Sequence, residues 1–451
     1  MHRDRPPTSG APTAVWQAFG VPGLVEDLRF RGLIVQVTDE ALFDKLDAGG
    51  LSAYIGFDPT ASSLHHGNLL QLCTLRRLQL AGHRPIALAG GATGFIGDPS
   101  GKSDERQLLD VDELAANVEG IRPQLARFLD FTESAGTTRG LLADNAAWLT
   151  TVSLMTFLRD VGKHVTVNEM IAKESVRSRL ERANQGISYT EFSYMLLQAY
   201  DFLRLHIDQG CDLQLGGTDQ WGNITVGAEL IGKVTGDRVY GLTTPLVTKA
   251  DGSKFGKTAE GAIWLDPSRT SPYRFYQVFL NAEDARVGDY LRFFTFLSKD
   301  EIVALDAETA SHPERRAAQR ALAAALCDLV HGEAETRRVE RASEALFGEE
   351  IDTLDEATLL EVFEDAPSSG LARAALGANG SGGLDIVSAL ILAGLCKSKG
   401  EARRLTESGG IYVNNRRVEG PERALGEDDL VAGRFVVLRK GRRDYHLLRV
   451  E

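Results

Sequence analysis

The sequence is poor in the residues that staple or metallate a small domain. Its 4 cysteines (Cys73, Cys211, Cys327 and Cys396) lie far apart in 451 residues and form no CxxC pair. That spacing argues against a disulfide framework and structural zinc, and points to a reducing compartment. Long apolar runs are missing too: no stretch approaches the roughly 18 residues that a membrane span requires. The Arg- and Pro-bearing start lacks the apolar core of a secretory signal and reads as a disordered tail over residues 1–23. Together these absences suggest a cytoplasmic protein. Positive charge is also in deficit, with 50 Lys+Arg against 63 Asp+Glu and a net charge of −13.

What is present is ordinary globular material, 43% hydrophobic and 25% charged, which excludes a wholly disordered chain. The length allows two to four domains at roughly 100–200 residues each. The charge is unevenly spread. Residues 384–451 hold 13 Lys+Arg and 10 Asp+Glu, a net of +3, leaving −16 on the other 383 residues. Basic pairs recur there: Arg403–Arg404, Arg416–Arg417, Arg439–Lys440 and Arg442–Arg443. A basic tail on an acidic body fits a module that meets a polyanion, although a solvated surface explains the same counts.

From about Leu24 to Asp266, short apolar runs alternate with amphipathic stretches, the rhythm of an α/β domain. Strands are expected at Ser52–Phe57, Arg84–Gly90 and Leu213–Gly216, with a leucine-rich helix from about His66 to Leu80. The pattern turns helical from Ser271 to about Phe363. Residues 365–383, rich in Gly, Ser and Ala, read as a linker before a small basic domain with strands such as Ile411–Val413 and Phe435–Leu438.

Two glycine-lysine segments imitate a phosphate-binding P-loop. In Gly97–Ser103 and Gly252–Thr258 only three residues separate the glycines where that loop needs four. The glycines Gly91, Gly94 and Gly97 miss the dinucleotide spacing as well. Small residues still allow close backbone approach to a ligand, and Lys102 and Arg106 carry phosphate-binding charge; a plain surface loop is an equal reading of this segment alone.

Other segments point to ligand chemistry more directly. His65-His66-Gly67-Asn68 follows a strand and turn at a helix start, where free backbone N–H groups favour a phosphate. Metal binding is the rival reading of paired histidines, but adjacent side chains diverge and no carboxylate stands at i+4. In the helix Ser188–Leu205, residues Phe192, Met195, Leu196, Ala199, Phe202 and Leu203 make an apolar stripe. Tyr194, Gln198 and Asp201 form a second stripe free of Lys and Glu, which suits a polar pocket wall. Gln214–Gln220 is a strand end entering a helix, where Asp219 and Gln220 can read hydroxyls or a carboxylate; an N-cap explains Asp219 equally well. Lys254-Phe-Gly-Lys257-Thr258 offers two ammonium groups on a glycine-containing loop, either a polyphosphate clamp or an exposed basic loop.

Taken in order, these segments resemble the bacterial type of tyrosyl-tRNA synthetase, a class I aminoacyl-tRNA synthetase family. HHGN stands where the class has HIGH, and KFGKT where it has KMSKS. GGATGFIGDPSGKSDERQLL, ISYTEFSYMLLQAYDF and LQLGGTDQWGN are much more specific to the tyrosine enzymes. The resemblance runs from about Leu28 to the C-terminus. It implies an α/β fold: a Rossmann-type, doubly wound parallel-sheet catalytic domain over 24–271, an α-helical anticodon-arm domain over 272–364, the linker over 365–383, and an α+β RNA-binding domain of S-four type over 384–451.

The implied activity is a tyrosine–tRNA ligase that joins L-tyrosine to ATP, brought with Mg²⁺, and then to its tRNA, usually as a homodimer, with no resident metal or cofactor. By the family's pattern, Tyr54 and Asp201 hold the phenol; Asp98, Tyr194 and Gln198 hold the ammonium; Gln220 lies near the carboxylate. Gly56, Asp58, Gly67, Asn68, Gly217, Asp219 and Thr258 belong to the ATP site. Thr60, His65, Lys102, Arg106, Lys254 and Lys257 act on the phosphates. Two positions depart from the pattern: Asn68 replaces the second motif His, and Ile55 stands where many relatives have a ribose-touching Cys. A synthetase for another aromatic amino acid, a nucleotidyltransferase of the same superfamily, and a non-catalytic RNA-binding paralogue are the competing readings.

Overall fold

The computed structural model describes residues 23–98, 110–180, 187–248, 262–347, 351–364, 366–377, 383–441 and 444–451. All but the last residue of the expected tail therefore lies outside the described residues. The chain divides into two compact units, one running to Thr270 and adding Val278–Val330, the other comprising Ser271–Gln277 and His331–Glu451.

The first unit is built on six strands: β1 (Gln36–Val37), β2 (Ser52–Phe57), β3 (Arg84–Ala89), β4 (Leu141–Asp144), β5 (Cys211–Gly217) and β6 (Tyr240–Thr244). Their order is β1-β6-β5-β2-β3-β4, parallel throughout except for the antiparallel edge strand β1. Central parallel strands are covered on both faces, so β2 reads as a nearly continuous apolar run, with Ala53, Tyr54, Ile55 and Phe57 all buried. The chain runs outward from β2 through β3 to β4 and then returns to β5 on the other side of β2. The carboxyl ends of β2 and β5 therefore feed connections that part in opposite directions, the place where open α/β sheets hold ligands.

The helix Tyr189–Gln209 begins where its Ser188 hydroxyl accepts from the Glu191 N–H and ends at Gly210, whose φ of 63° suits glycine. The predicted apolar stripe is the one it buries: Met195, Leu196, Ala199, Phe202 and Leu203 pack with Tyr54, Ile86 and Leu230, and Phe192 lies at the margin.

The helical region expected as one domain over 272–364 is split, with 278–330 in the first unit and 272–277 and 331–364 in the second. A buried charge cluster explains the first half. Arg31 and Arg77, 1% and 0% exposed, donate to the carbonyls at the end of the helix Asp284–Phe294, including that of Thr295. Both guanidinium groups face Asp27, 2.7 Å from Arg31 and 3.6 Å from Arg77. Orphan carbonyls at a helix end need donors, and these arginines supply them, Arg31 from the C-cap of the helix Leu24–Phe30 and Arg77 from the helix Leu69–Leu80.

The second unit carries a five-stranded sheet of β7 (Ser368–Leu371), β8 (Ile411–Val413), β9 (Arg416–Arg417), β10 (Phe435–Lys440) and β11 (Asp444–Val450), ordered β7-β11-β10-β8-β9. The linker reading is corrected here. Ser368–Leu371 pairs in parallel with Leu447–Val450, and Leu371 and Leu376 are buried in this unit's core with Ile386, Leu438 and Leu448. A composition poor in bulky residues reports missing side-chain burial; it says nothing about backbone bonds along a sheet edge. The helix Glu333–Phe347 belongs to the same unit, its Ala345 carbonyl accepting from Asn415 Nδ2 at 3.0 Å.

Asp27→Ala is expected to destabilise the protein by about 3–5 kcal/mol, because it leaves two buried guanidinium groups without their counter-charge. Denaturant unfolding followed by circular dichroism measures this; a loss below about 1 kcal/mol would show that the cluster is not a closed ion-pair network.

Candidate active site

A cleft of about 310 Å³ opens at the carboxyl ends of β2, β3 and β5. Every described residue that the resemblance assigns to the tyrosine or ATP site lines it: Tyr54, Gly56, Asp58 and Thr60 from β2 and its turn, His65, Gly67 and Asn68 from the following helix start, Asp98 beyond β3, Tyr194, Gln198 and Asp201 from the Tyr189–Gln209 helix, Gly217 at the end of β5, and Asp219 and Gln220 after it. Lys102, Arg106, Lys254, Lys257 and Thr258 lie outside the described residues.

The floor of the cleft is buried and polar. Tyr54 is 1% exposed, packs its ring 5.3 Å from that of Phe202, and has no hydrogen-bond partner for its hydroxyl among the described residues. Its sheet neighbour Gln214 is also buried, with an equally unpartnered Oε1. A buried polar group without a partner costs about 1–3 kcal/mol, so two such atoms on one cleft wall mark where a ligand's polar groups belong. Burial, and then the nearby Asp201 carboxylate, push the Tyr54 phenol well above its ordinary pKa and keep it a hydrogen-bond donor.

Asp201 is held from behind. Asn145 Nδ2 donates to one oxygen at 2.9 Å and Trp148 Nε1 to the other at 2.7 Å. Burial raises this carboxyl to about 7, and those two hydrogen bonds oppose the rise. Asn145 is itself fixed, its Oδ1 accepting from Ala92 N–H and its Nδ2 reaching Thr93 Oγ1. Nearer the mouth, Gln220 Nε2 donates to Asp98, Gln198 Nε2 to Gln220 Oε1 at 3.2 Å, and Asn223 Nδ2 to both glutamine oxygens. One chain of amides thus sets the orientation of the whole wall.

The His65 imidazole caps the 3₁₀ turn His66–Asn68, its Nδ1 accepting from the Gly67 N–H at 3.0 Å. A neutral ring with Nδ1 accepting carries its proton on Nε2, so His65 is a hydrogen-bond donor on that side.

The sequence model described as tRNA synthetases class I (W and Y) matches residues 47–348, and one described as the tyrosine–tRNA ligase SYY-like C-terminal domain matches 361–448. A tyrosine–tRNA ligase of Roseiflexus castenholzii is 55% identical over 95% of this chain and 99% of its own length. One from Opitutus terrae is 52% identical over 95% and 99%. A solved, C-terminally truncated mitochondrial tyrosyl-tRNA synthetase of Aspergillus nidulans is 33% identical and superposes with a TM-score of 0.64 over 72% of this chain and 94% of its own.

The chain belongs to the tyrosine–tRNA ligase family.

Within this class I family, the departure at Asn68 has a structural account. Its Oδ1 accepts from the His65 N–H at 3.0 Å and closes a capping box, so the amide stabilises the turn that presents His65. Ile55, the other departure, is 3% exposed on the cleft wall and its side chain offers no donor. Sequence reasoning missed Gln214, Asn145, Trp148 and Asn223. Gln214 stood at the head of a quoted motif, and only its pairing beside Tyr54 reveals its place. Asn223 closed another such segment, three positions from its partner Gln220, whereas Asn145 and Trp148 act through Asp201, more than fifty positions away, and nothing local announces that.

The folded pKa of Asp201 lies above its ordinary 3.8, so its contribution to stability is greatest below about pH 4 and is lost as pH rises through about 7. Asn145→Ala removes a donor to the charged form and should steepen that loss. A destabilisation of about 1–3 kcal/mol is expected, larger at pH 8 than at pH 5.5. Denaturant curves at the two pH values test this, and an equal or reversed difference would contradict the shared bond.

Proposed function

We propose that this cleft holds L-tyrosine with its phenol between Tyr54 and Asp201 and joins its carboxylate to ATP. The observation that carries the reading is the buried Tyr54 hydroxyl, unpartnered among the described residues, beside a carboxylate held in place by Asn145 and Trp148. A phenol hydroxyl can accept from Tyr54 while donating to Asp201, and phenylalanine can do neither. Asp98, Tyr194 and Gln198 surround the ammonium group, with Gln220 beside the carboxylate.

A tyrosine carboxylate oxygen attacks the α-phosphorus of ATP. The new O–P bond forms as the bond to the bridging oxygen breaks, and the electron pair leaves with pyrophosphate. No protein nucleophile takes part. Negative charge grows on the leaving group, so donors that meet it only in the transition state raise kcat. His65 Nε2–H and the Thr60 hydroxyl take this part, and Lys102, Arg106, Lys254 and Lys257 supply charge, by the family's pattern. Asp219 and Gly217 take the ribose; Gly56, Asp58, Gly67, Asn68 and Thr258 complete the ATP site. Mg²⁺ enters on the triphosphate, held mainly by phosphate oxygens and water.

A hydroxyl of the terminal tRNA(Tyr) ribose then receives the tyrosyl group. The basic C-terminal segment 384–451, of S-four type, binds that RNA; Arg403, Arg404 and Arg417 are exposed there. Leu154, Met155, Leu158, Val167 and Ile171 are 41–74% exposed on the helices Leu154–Asp160 and Val167–Ala172. An apolar face of that kind is expected to be covered by a second copy of the chain.

Pyrophosphate exchange into ATP across all amino acids tests the assignment, with dependence on L-tyrosine expected. Sites that hydrogen-bond a hydroxyl reject the analogue lacking it by about 10⁴–10⁵, a figure for which tyrosyl-tRNA synthetases are themselves the worked example. Tyr54→Phe should lower the preference for tyrosine over phenylalanine, and an unchanged ratio would remove Tyr54 from the phenol site. L-tyrosine affinity should also weaken as pH falls below about 7, where protonated Asp201 no longer accepts as a carboxylate. Equilibrium titrations from about pH 5.5 to 8.5 measure it, and a flat profile would place the phenol elsewhere.

A further inference from the structure

The loop that carries His65 is gripped from two sides. On one side stands the helix Val111–Phe128. Its Gln124 Oε1 accepts from the Leu64 N–H at 2.9 Å and lies 3.2 Å from the Ser63 hydroxyl, and its Asn117 Nδ2 donates to the Pro59 carbonyl at 3.1 Å. Gly120 lies between them; a Cβ there would come within 2.3 Å of the Ser62 carbonyl oxygen, so helix backbone and loop backbone abut.

On the other side, residues 263–265 run antiparallel to the loop. His66 N–H donates to the Ile263 carbonyl and Leu265 N–H to the Leu64 carbonyl, both at 2.9 Å, which leaves His65 directly opposite Trp264. A pair flanked in this way exchanges no backbone bonds itself and brings its side chains closest together. The two rings meet edge-on, with centroids 6.2 Å apart at 64°. The Arg269 guanidinium lies over the indole, 3.7 Å from the ring centroid. The Trp264 backbone N–H is tied to Thr270 Oγ1 at 3.0 Å.

The loop backbone is therefore fixed, and what remains to be set is the rotation of the imidazole. Gly67 N–H engages Nδ1 and the indole stands against the ring. Trp264 is not among the residues that line the cleft. The geometry points to Trp264 as a positioning residue that, braced by Arg269, holds the His65 ring in the orientation from which Nε2–H meets the leaving phosphates. The inference rests on the role given to His65 above.

The test is a double-mutant cycle on the full-length protein, reading kcat for pyrophosphate exchange, with L-tyrosine Kd measured separately. Trp264→Leu is expected to lower kcat between about ten- and a hundredfold, the range for a displaced catalytic group, with L-tyrosine Kd unchanged. Trp264→Phe, which keeps an aromatic edge, should recover most of the rate. In a His65→Ala background the same Trp264→Leu change should cost less than about twofold, since residues that act as a unit are not additive. An equal loss in both backgrounds, a Trp264→Phe enzyme as slow as Trp264→Leu, or a weakened L-tyrosine Kd would each assign Trp264 a general structural role and overturn the inference. A slowed His65→Ala enzyme beside an unimpaired Trp264→Leu enzyme overturns this inference alone. An undiminished His65→Ala enzyme removes the imidazole's role, and the inference falls with it.

Discussion

Parallel strands present side chains side by side, and where their connections part, the ends of those strands are open to a ligand. Between β2 and β5 this places Tyr54 in register with Gln214, and the Tyr189–Gln209 helix lays Asp201 against the same floor. Burial there is nearly complete, which makes the phenol a firm donor and lifts the Asp201 carboxyl toward neutrality. The cleft's chemistry follows from that one constraint: polar groups kept in a low-dielectric floor by the sheet beneath them.

Such a floor is costly, and the surrounding structure offsets the cost selectively. Asp201 receives two donors and Asn145 is fixed by two further contacts, whereas the Tyr54 hydroxyl and Gln214 Oε1 stay without partners among the described residues. Groups satisfied from behind hold their orientation, and groups left unsatisfied favour a ligand that completes them. Stability is spent at the site in exchange for discrimination, the usual balance at a binding centre. The His65 turn follows the same logic in its backbone: Asn68 closes the cap, Gln124 and Asn117 hold one side, and residues 263–265 hold the other.

Parts of the protein were legible directly. The apolar run Ser52–Phe57 is β2 at the same bounds, and the 3.6-residue stripe from Phe192 to Leu203 is the face that the helix buries. These readings hold because each depends on residues one to four positions apart. The second stripe, Tyr194, Gln198 and Asp201, was equally visible by spacing, and the cleft it lines agrees with it. The stretch 365–383 failed as a linker because β7 forms by backbone pairing with Leu447–Val450, about eighty residues away, and backbone pairing leaves little trace in composition.

The amino-acid order by itself determined several of the secondary elements, the family and the residue types gathered at the cleft, since periodicity, caps and long specific segments are local. Only the tertiary structure decided which of those residues stand together. Asn145 behind Asp201, Asp27 between two buried arginines, and Trp264 against His65 join residues separated by 56, 50 and 199 positions. Their partners are chosen by the crossing of strands and helices, and a polar side chain carries no mark of the distant group it will meet.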